Sequence, residues 1–333
     1  MKKFLVLWLG LLSLGFGGEK LEKLVIAGPF SSISHPMLRL IETGALSDVA
    51  HKVEFKLWQS PDELRALLLK KDVQFVALPT NVAANLYNKK EPIRLLNVPV
   101  WGILEIVSRD TNLKRIEDFK GKEIIVPFRA DMPDIVLQAL IKQAGLDAKK
   151  DFTLKYVPNP PDAMQMLILR RADHVLLAEP ATSMAMRKTG SFPVSLIAPE
   201  LHRSVNLQSE WGRLFKAEPK IPQAGLSVVG DVDAQVVKRF NEEYAKALSW
   251  YQSHPQEAGV LVEKELKTFK AEAISDSIAH TQFELKNAQQ SKEALEQFFN
   301  ILMQIEPKLI GSKIPDDGFY GVDGGLLPLF FSF

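Results

Sequence analysis

Short apolar runs alternate along the chain with amphipathic stretches, and polar residues stand at the points of change. Leu24–Ala27 is an apolar run long enough for one buried strand. Gly28, Pro29 and a serine-rich loop follow it, and an amphipathic run then begins at His35 and Pro36. This order predicts a strand, a polar loop and a helix N-terminus. Free N–H groups and a partial positive charge at such an end favour an anionic or polar ligand.

The same unit of strand, polar cap and helix recurs three more times. The strands predicted for these units are 73–78, 123–126 and 173–177. Strands that alternate with helices predict mostly parallel sheets covered by helices. The long helices predicted after residue 231 start no new unit of this kind, so we expect them to pack on the first half of the chain.

These units predict an α/β fold of two lobes, each a mostly parallel sheet flanked by helices, with a hinge between them. We expect lobe 1 to comprise residues 19–105 and 225–333, and lobe 2 residues 106–224. Ligands of such sheets bind beyond the carboxyl ends of the strands, so two lobes would face each other across a cleft. The candidate ligand-binding residues at the four caps are Ser31, Ser32, Ser34, His35, Thr80, Asn81, Arg129, Asp131, Glu179 and Thr182.

Several of these residues have a structural role as an alternative. A single serine more often caps its helix than binds a ligand. His35 lies at a helix N-terminus, which disfavours its charged form, so we expect it to donate one hydrogen bond to ligand or backbone. Glu179 is suited to a ligand amine, to capping the next helix or to pairing with Arg129. Trp101 and Trp211 are candidates to stack on a planar or cationic ligand, although core packing is the commoner role of a lone tryptophan.

Composition excludes several kinds of chemistry. The 333 residues carry a formal net charge of +1, which gives no electrostatic reason to expect a nucleic-acid partner. The chain has no cysteine, so it can form neither disulfides nor thiolate metal sites. Its six histidines lack metal-ligand spacing, and neither a GxSxG sequence nor a Ser–Lys signature is present. We therefore expect no cofactor, no metal and no catalysis.

The N-terminus has the pattern of a signal peptide. Lys2 and Lys3 precede an apolar stretch at 4–14, which is too short to span a membrane. Small residues at 15 and 17 predict cleavage near Gly17–Gly18, so residues 1–18 would be removed and the mature protein exported to the periplasm. A retained membrane anchor is the alternative.

Five segments, in this order, resemble one known family. They are GPFSSISHP, FVALPTNVAANLY, VSRDTNLKRIEDFKGKEIIVP, AEPATSMAM and KIPDDGFYG. The chain is similar to the substrate-binding proteins of ABC importers, in the nitrate, sulfonate and taurine family that includes thiamine-pyrimidine binders. The resemblance implies a periplasmic protein that closes on a small solute by hinge bending and delivers it to a permease in the inner membrane. We expect a monomer.

The cap residues depart from a site for a bare anion. Arg129 is their only obvious cation, whereas Asp131 and Glu179 would repel an anion in a poorly solvated cleft. We therefore favour a small organic solute with an acidic group and a cationic one, such as an aminosulfonate. Sulfonates, taurine, nitrate and pyrimidines stay open. The alternatives to transport are binding or synthesis of the thiamine-pyrimidine precursor, and a sensor or partner-binding module of the same fold.

Overall fold

A computed structural model of the protein describes residues 20–193 and 200–321. The predicted signal peptide at 1–18 and the apolar end of the C-terminal tail lie outside the described residues, as does most of a strand predicted at 193–198. Among the residues described, no helix combines the length and the apolar character that a membrane crossing requires.

The described strands and helices alternate through most of the chain. The strands are β1 (Leu21–Pro29), β2 (Ala50–Trp58), β3 (Phe75–Pro79), β4 (Ile93–Gly102), β5 (Leu104–Ser108), β6 (Glu123–Pro127), β7 (Thr153–Val157), β8 (His174–Ala178), β9 (His202–Asn206), β10 (Ala224–Val229) and β11 (Gln282–Asn287). The helices are α1 (His35–Glu42), α2 (Pro61–Leu69), α3 (Thr80–Asn88), α4 (Met132–Gln143), α5 (Pro160–Ile168), α6 (Ala181–Gly190), α7 (Leu207–Phe215), α8 (Ala234–Ser253), α9 (Pro255–Leu266), α10 (Ala271–Ala279) and α11 (Ala288–Ile305). Short 3₁₀ helices lie at Ile116–Phe119, Pro307–Ile310 and Asp317–Phe319.

The strands form two sheets, one in each lobe. The first has the order β11-β4-β10-β3-β1-β2, and the second has the order β7-β6-β8-β5-β9. In the first sheet β1 pairs in parallel with β2 and β3, and in the second β6 pairs in parallel with β7 and β8. The predicted two-lobed α/β fold is thereby confirmed.

Each sheet also has an antiparallel half, which the alternation of strands and helices did not indicate. Strand β5 is the first strand after the chain enters lobe 2, and it pairs antiparallel with β8 and β9. Strand β10 is the first strand after the chain returns, and it pairs antiparallel with β3 and β4. Each lobe thus has an antiparallel strand at the point where the chain arrives from the other lobe, and in lobe 1 the edge strand β11 also pairs antiparallel with β4.

The two crossing segments are bonded to each other by two buried glutamines. Gln223 accepts the N–H of Ile103 at 3.0 Å, and Gln208 accepts the N–H of Leu104 at 3.2 Å. The amide of Gln223 donates to Gln208 at 3.2 Å. We call Gln208 and Gln223 the hinge glutamines. Both crossings lie near the predicted lobe boundaries, which stay predictions as the limits of separately moving units.

The late helices connect the lobes as well as covering lobe 1. Helix α8 packs on the first sheet, where Phe240 stacks on Phe75 with ring centroids 3.9 Å apart. The α9–α10 hairpin contacts α1 of lobe 1 and α6 of lobe 2, and Arg187 of α6 pairs with Asp276 of α10. The expectation that all of these helices pack on the first half is therefore wrong for α10. Its small residues, such as Ala273, fit closely against apolar side chains of lobe 2.

Candidate functional site

A cavity of about 520 Å³ lies between the two lobes. Its walls come from the carboxyl ends of β1, β2 and β3 in lobe 1, and from those of β6, β7 and β8 in lobe 2. Residues of both crossing segments, including Ile103 and Gln223, complete it. The volume is in the range of pockets that hold organic ligands, and the position is the one that parallel strands of two facing lobes create.

The lining of this interlobe cavity is largely apolar. Phe30, Trp58, Phe128 and Met132 line it together with several prolines. Among the described residues that line it, the charged ones are Asp131 and Asp162, and none is a lysine, arginine or histidine. The cavity therefore offers an apolar surface with carboxylates as its charged groups.

Asp131 holds the first turn of α4 and faces the cavity. Its Oδ1 accepts the N–H of Met132 at 2.8 Å, as expected of an N-cap. The residue is 9% exposed, and no other described group donates a hydrogen bond to its side chain. Burial raises the pKa of Asp131, and the charge of Arg65 opposes that rise. Asp131 is thus a poorly solvated carboxylate with one oxygen free to accept a donor.

A larger cavity of about 840 Å³ adjoins the first, because Trp58, Pro79 and Asp131 line both. It extends between α2, α3 and the loop before α4, and its lining includes Asn81 and Arg129. The Arg129 guanidinium lies 5.2 Å from the centre of the Tyr156 ring. The predicted cation is therefore at the side of the cleft rather than in the interlobe cavity.

The helices that begin at the cleft already carry protein caps. Ser60 accepts the N–H of Glu63 at the start of α2, and Asn159 accepts that of Asp162 at the start of α5. Asp131 does the same for α4. Each of these three helices also has a proline in its first turn, which has no N–H to offer. The donors that an anion would use at these termini are thus partly occupied or absent.

The serine-rich loop contributes one of its serines to the interlobe cavity. Ser31 lines the cavity, whereas Ser32 and Ser34 are fully buried. The Ser34 hydroxyl donates to the carbonyl of Pro29 at 2.7 Å, so it fixes the turn after β1. The Ser32 hydroxyl lies 3.5 Å from that of Thr281.

His35 is buried at the start of α1 and bonded to another side chain. Its Nδ1 lies 2.7 Å from the hydroxyl of Tyr251, and its Nε2 has no partner among the described residues. Burial lowers the pKa of His35 to about 3. The lowered pKa agrees with the expected neutral form of the His35 imidazole. Its hydrogen-bond partner is the Tyr251 side chain, however, which the sequence did not suggest.

Of the two candidate residues in the second cap of lobe 1, Thr80 has a structural contact and Asn81 lines a cavity. The Thr80 hydroxyl donates to the carbonyl of Pro222 at 2.5 Å, which ties α3 to a crossing segment. Asn81 donates weakly to the carbonyl of Leu309 at 3.4 Å, and its Oδ1 is buried without a partner. Asn81 lines the larger cavity.

Glu179 is 1% exposed and lies beside Arg203 on β9. Its Oε1 lies 2.6 Å from the Arg203 guanidinium and accepts the Ser183 hydroxyl at 3.1 Å. Its Oε2 accepts the N–H of Ser183, also at 3.1 Å. Arg203 also pairs with Glu105. Burial raises the pKa of Glu179, and Arg203 opposes that rise. Among the predicted alternatives, these contacts agree with a structural role. Glu179 accepts a hydrogen bond at the start of α6 and pairs with Arg203 instead of Arg129.

Three more predicted residues lie away from both cavities. Thr182 is fully buried, and its hydroxyl has no partner among the described residues. Trp101 lies in the core of lobe 1, where its indole N–H donates to the carbonyl of Glu284 at 2.7 Å. Trp211 lies in the core between α7 and α11, with ring centroids 4.3 Å from Phe215.

Sequence reasoning missed Trp58, Gln223 and Arg203. Trp58 ends β2 and lines both cavities, and its position at the end of an alternating strand was a usable signal. Gln223 stands in a segment without regular structure, and Arg203 is on a short strand with mostly polar residues. Neither has a local pattern that indicates its contact.

The fold and cleft together define a class: two α/β lobes, joined by two crossings, with a cavity between the carboxyl ends of their strands. Solved structures of this fold include a protein described as an ABC transporter and two periplasmic binding proteins. An ABC transporter protein from Parabacteroides distasonis is 23% identical, with a TM-score of 0.75 over 91% of this chain and 100% of that one.

Two further structures of the same fold have named ligands. The periplasmic aliphatic sulphonate-binding protein SsuA of Escherichia coli is 14% identical, with a TM-score of 0.63 over 87% of this chain and 96% of its own. The periplasmic nitrate-binding protein NrtA of Synechocystis is 13% identical, with a TM-score of 0.66 over 86% and 82%. No protein-family model matches the chain, and no curated protein matches its sequence. At these identities the likeness establishes the fold.

Proposed function

We propose that the protein is the solute-binding component of an ABC importer. It would capture a small solute in the interlobe cavity and deliver it to a permease in the inner membrane, without catalysis. The observation that carries this proposal is the cavity of about 520 Å³ whose walls come from both lobes. A solute held there contacts both lobes at once, so its binding energy favours the closed arrangement over an open one.

The solved structures of this fold support the same role. The two described above are named for aliphatic sulphonates and nitrate, so sulfonates, taurine and nitrate are candidate solutes here as well. The thiamine-pyrimidine precursor is the alternative, and the apolar lining with its carboxylate suits a heterocycle with N–H donors. The proposed setting is the periplasm, after removal of residues 1–18, with the protein acting as a monomer.

The proposed ligand contacts are the predicted residues that line a cavity. Ser31 and Asp131 would contact the solute in the interlobe cavity, and Trp58 would form part of its apolar wall. Asn81 and Arg129 would contact any part of the solute that extends into the larger cavity. We propose that the remaining predicted residues hold the walls in place.

A thermal-shift screen tests this function. Residues 19–333 would be heated with sulfonates, taurine, nitrate, bicarbonate, pyrimidines and thiamine. A solute at 100 times its dissociation constant adds about 2.7 kcal/mol to the free energy of unfolding, which corresponds to a shift of a few degrees.

The variant Ser31→Trp fills the cavity and should abolish the shift, while Ser47→Trp, at an exposed position, should preserve it. A shift that survives Ser31→Trp would contradict binding in the cavity. If neither these solutes nor organic cations of similar size stabilise the folded protein, the proposed transport function is contradicted.

A further inference from the structure

We infer that the solute is an organic cation with an apolar body, and that Asp131 is the residue that pairs with its positive group. This inference rests on the proposed function and names the chemical class that the interlobe cavity is built to take. It departs from the anions, aliphatic sulphonates and nitrate, that give two other proteins of this fold their names.

The charges around the cavity favour a cation. Among the described residues that line it, Asp131 and Asp162 are charged, and no lysine, arginine or histidine accompanies them. An anion placed there would face carboxylates across a poorly solvated space, where like charges repel strongly. A cation in the same place would be attracted by the same carboxylates.

The helix termini at the cleft also argue against an anion. A helix N-terminus binds an anion through unoccupied N–H groups and the positive end of its dipole. At α4 this place is taken by the carboxylate of Asp131 itself, which accepts the N–H of Met132. At α6 it is taken by the carboxylate of Glu179, which accepts the N–H of Ser183. The protein thus supplies its own anions at both termini.

Asp131 has capacity for a ligand that Glu179 lacks. Glu179 is satisfied by Arg203 and Ser183 and has no access to either cavity. Asp131 lines both cavities, is nine-tenths buried, and has one oxygen without a donor among the described residues. A carboxylate in a poorly solvated cavity is costly unless something pairs with it. A ligand ammonium group would supply that partner.

Two arginines that line the larger cavity beside Asp131 already have other contacts. Arg65, across the cleft on α2, donates to Asp62 at 2.9 Å, and Arg129 lies against the Tyr156 ring. Both line the larger cavity and not the interlobe one. Neither therefore occupies the place that the ligand cation would take.

The size and lining of the cavity indicate the rest of the solute. A volume of about 520 Å³ far exceeds a three-oxygen anion such as nitrate, and it suits an organic ligand of many atoms. Phe30, Trp58, Phe128 and Met132 give the lining its apolar surface. Burial of an apolar body against them would supply most of the affinity, and Asp131 would set the orientation and the charge preference.

Matched probes test the charge preference directly. Phenyl, indolyl and cyclohexyl scaffolds would each be used as the ethylammonium, the ethanol and the ethanesulfonate, with affinity measured by titration calorimetry at neutral pH. Within each scaffold we expect the ammonium compound to bind most tightly and the sulfonate least tightly. The reverse order, or no binding by any ammonium probe at about 1 mM, a concentration that detects even weak ligands, would overturn the inference.

The variant Asp131→Asn tests the assigned residue. Asparagine caps helices as well as aspartate does, so the fold should be retained. We expect the ammonium probes to lose affinity by about 10- to 100-fold, the size of one charged hydrogen bond, while the alcohols bind as before. Asp233→Asn, at the exposed N-cap of α8 and outside both cavities, is the matched control and should change binding little. Equal affinity of the ammonium probes for Asp131→Asn and the unmodified protein would remove Asp131 from this role.

The two proposals fail in different ways. If nitrate or a sulfonate binds more tightly than the ammonium probes, the inference is wrong and the transport function stands. If neither the screen nor the probes yield a ligand, both are wrong.

Discussion

Asp131 and Glu179 occupy equivalent places in lobe 2, yet their surroundings differ completely. Asp131 is the N-cap of α4 and Glu179 lies two residues before α6, and these helices follow two neighbouring parallel strands, β6 and β8. Glu179 has an arginine and a serine as partners and is closed off from both cavities, whereas Asp131 has one backbone donor and lines both. Sequence position alone gave the two carboxylates the same role. The groups packed around a carboxylate therefore decide whether it serves stability or binding.

The largest expected effect concerns the stability that depends on Glu179, the carboxylate that lines neither cavity. Arg203→Met would leave Glu179 and Glu105 buried without their cation, which should lower the free energy of unfolding by about 3–5 kcal/mol. Urea denaturation would measure it, with Arg65→Met on the exposed face of α2 as control. A loss below about 1 kcal/mol, the size for an exposed pair, would mean that Arg203 does not stabilise these carboxylates.

Acid should lower the stability of the folded protein through the buried side chain of His35. Its pKa is about 3 in the folded protein and 6.5 as the ordinary value. Between these values the unfolded chain binds a proton that the folded protein does not, so stability falls as the pH falls. The expected slope is about 1.4 kcal/mol per pH unit from this residue.

The variant His35→Gln should flatten that dependence between pH 6 and about pH 4, in the window that the linkage relation defines. Denaturation midpoints at a series of pH values would measure it. The exposed His51→Gln serves as control and should retain the slope of the unmodified protein. An unchanged slope in His35→Gln would contradict the neutral buried histidine.

Glu179→Gln should reduce stability and leave binding alone. It weakens a charged hydrogen bond to Arg203, which is worth about 1.5–3 kcal/mol. Because the residue does not line a cavity, the affinity for any solute found in the screen should stay the same. Thermal denaturation and calorimetry of the same variant measure both quantities, and Glu272→Gln on the surface is the control. A large loss of affinity with intact stability would restore Glu179 as a ligand contact.

Asp131→Asn should give the smallest change in stability. Asparagine replaces the N-cap, so the free energy of unfolding should change by less than about 0.5 kcal/mol. Urea denaturation would measure this change. A loss above about 2 kcal/mol, the upper range for losing a cap, would indicate that the carboxylate serves chiefly to hold the fold.

Much of the fold could be predicted because its units repeat. Buried strands such as β3 and β8 are continuous apolar runs followed by cap residues, which is a strong local signal. Strands β9 and β11 were not predicted because they lie at sheet edges and contain many polar residues. Helix α7 lacked an assignment, since its character depends on Trp211 packing against α11.

The cavity-lining residues could be predicted only in part. Ser31 and Asp131 follow directly from their position at strand ends. The pairing of Glu179 with Arg203 joins residues of different strands, and the bond between His35 and Tyr251 joins positions 216 apart in the chain. Trp101 and Trp211 were weighed by residue type, whereas their burial depends on neighbours from other elements.

The proposed movement of the lobes can be followed at the hinge glutamines. The amide hydrogens of Ile103 and Leu104 are bonded to the side-chain oxygens of Gln223 and Gln208. Amide hydrogens exchange with solvent deuterium only when such bonds open. The exchange rates of these two amides therefore measure how often the joint between the lobes loosens, and a solute that holds the lobes together should slow both.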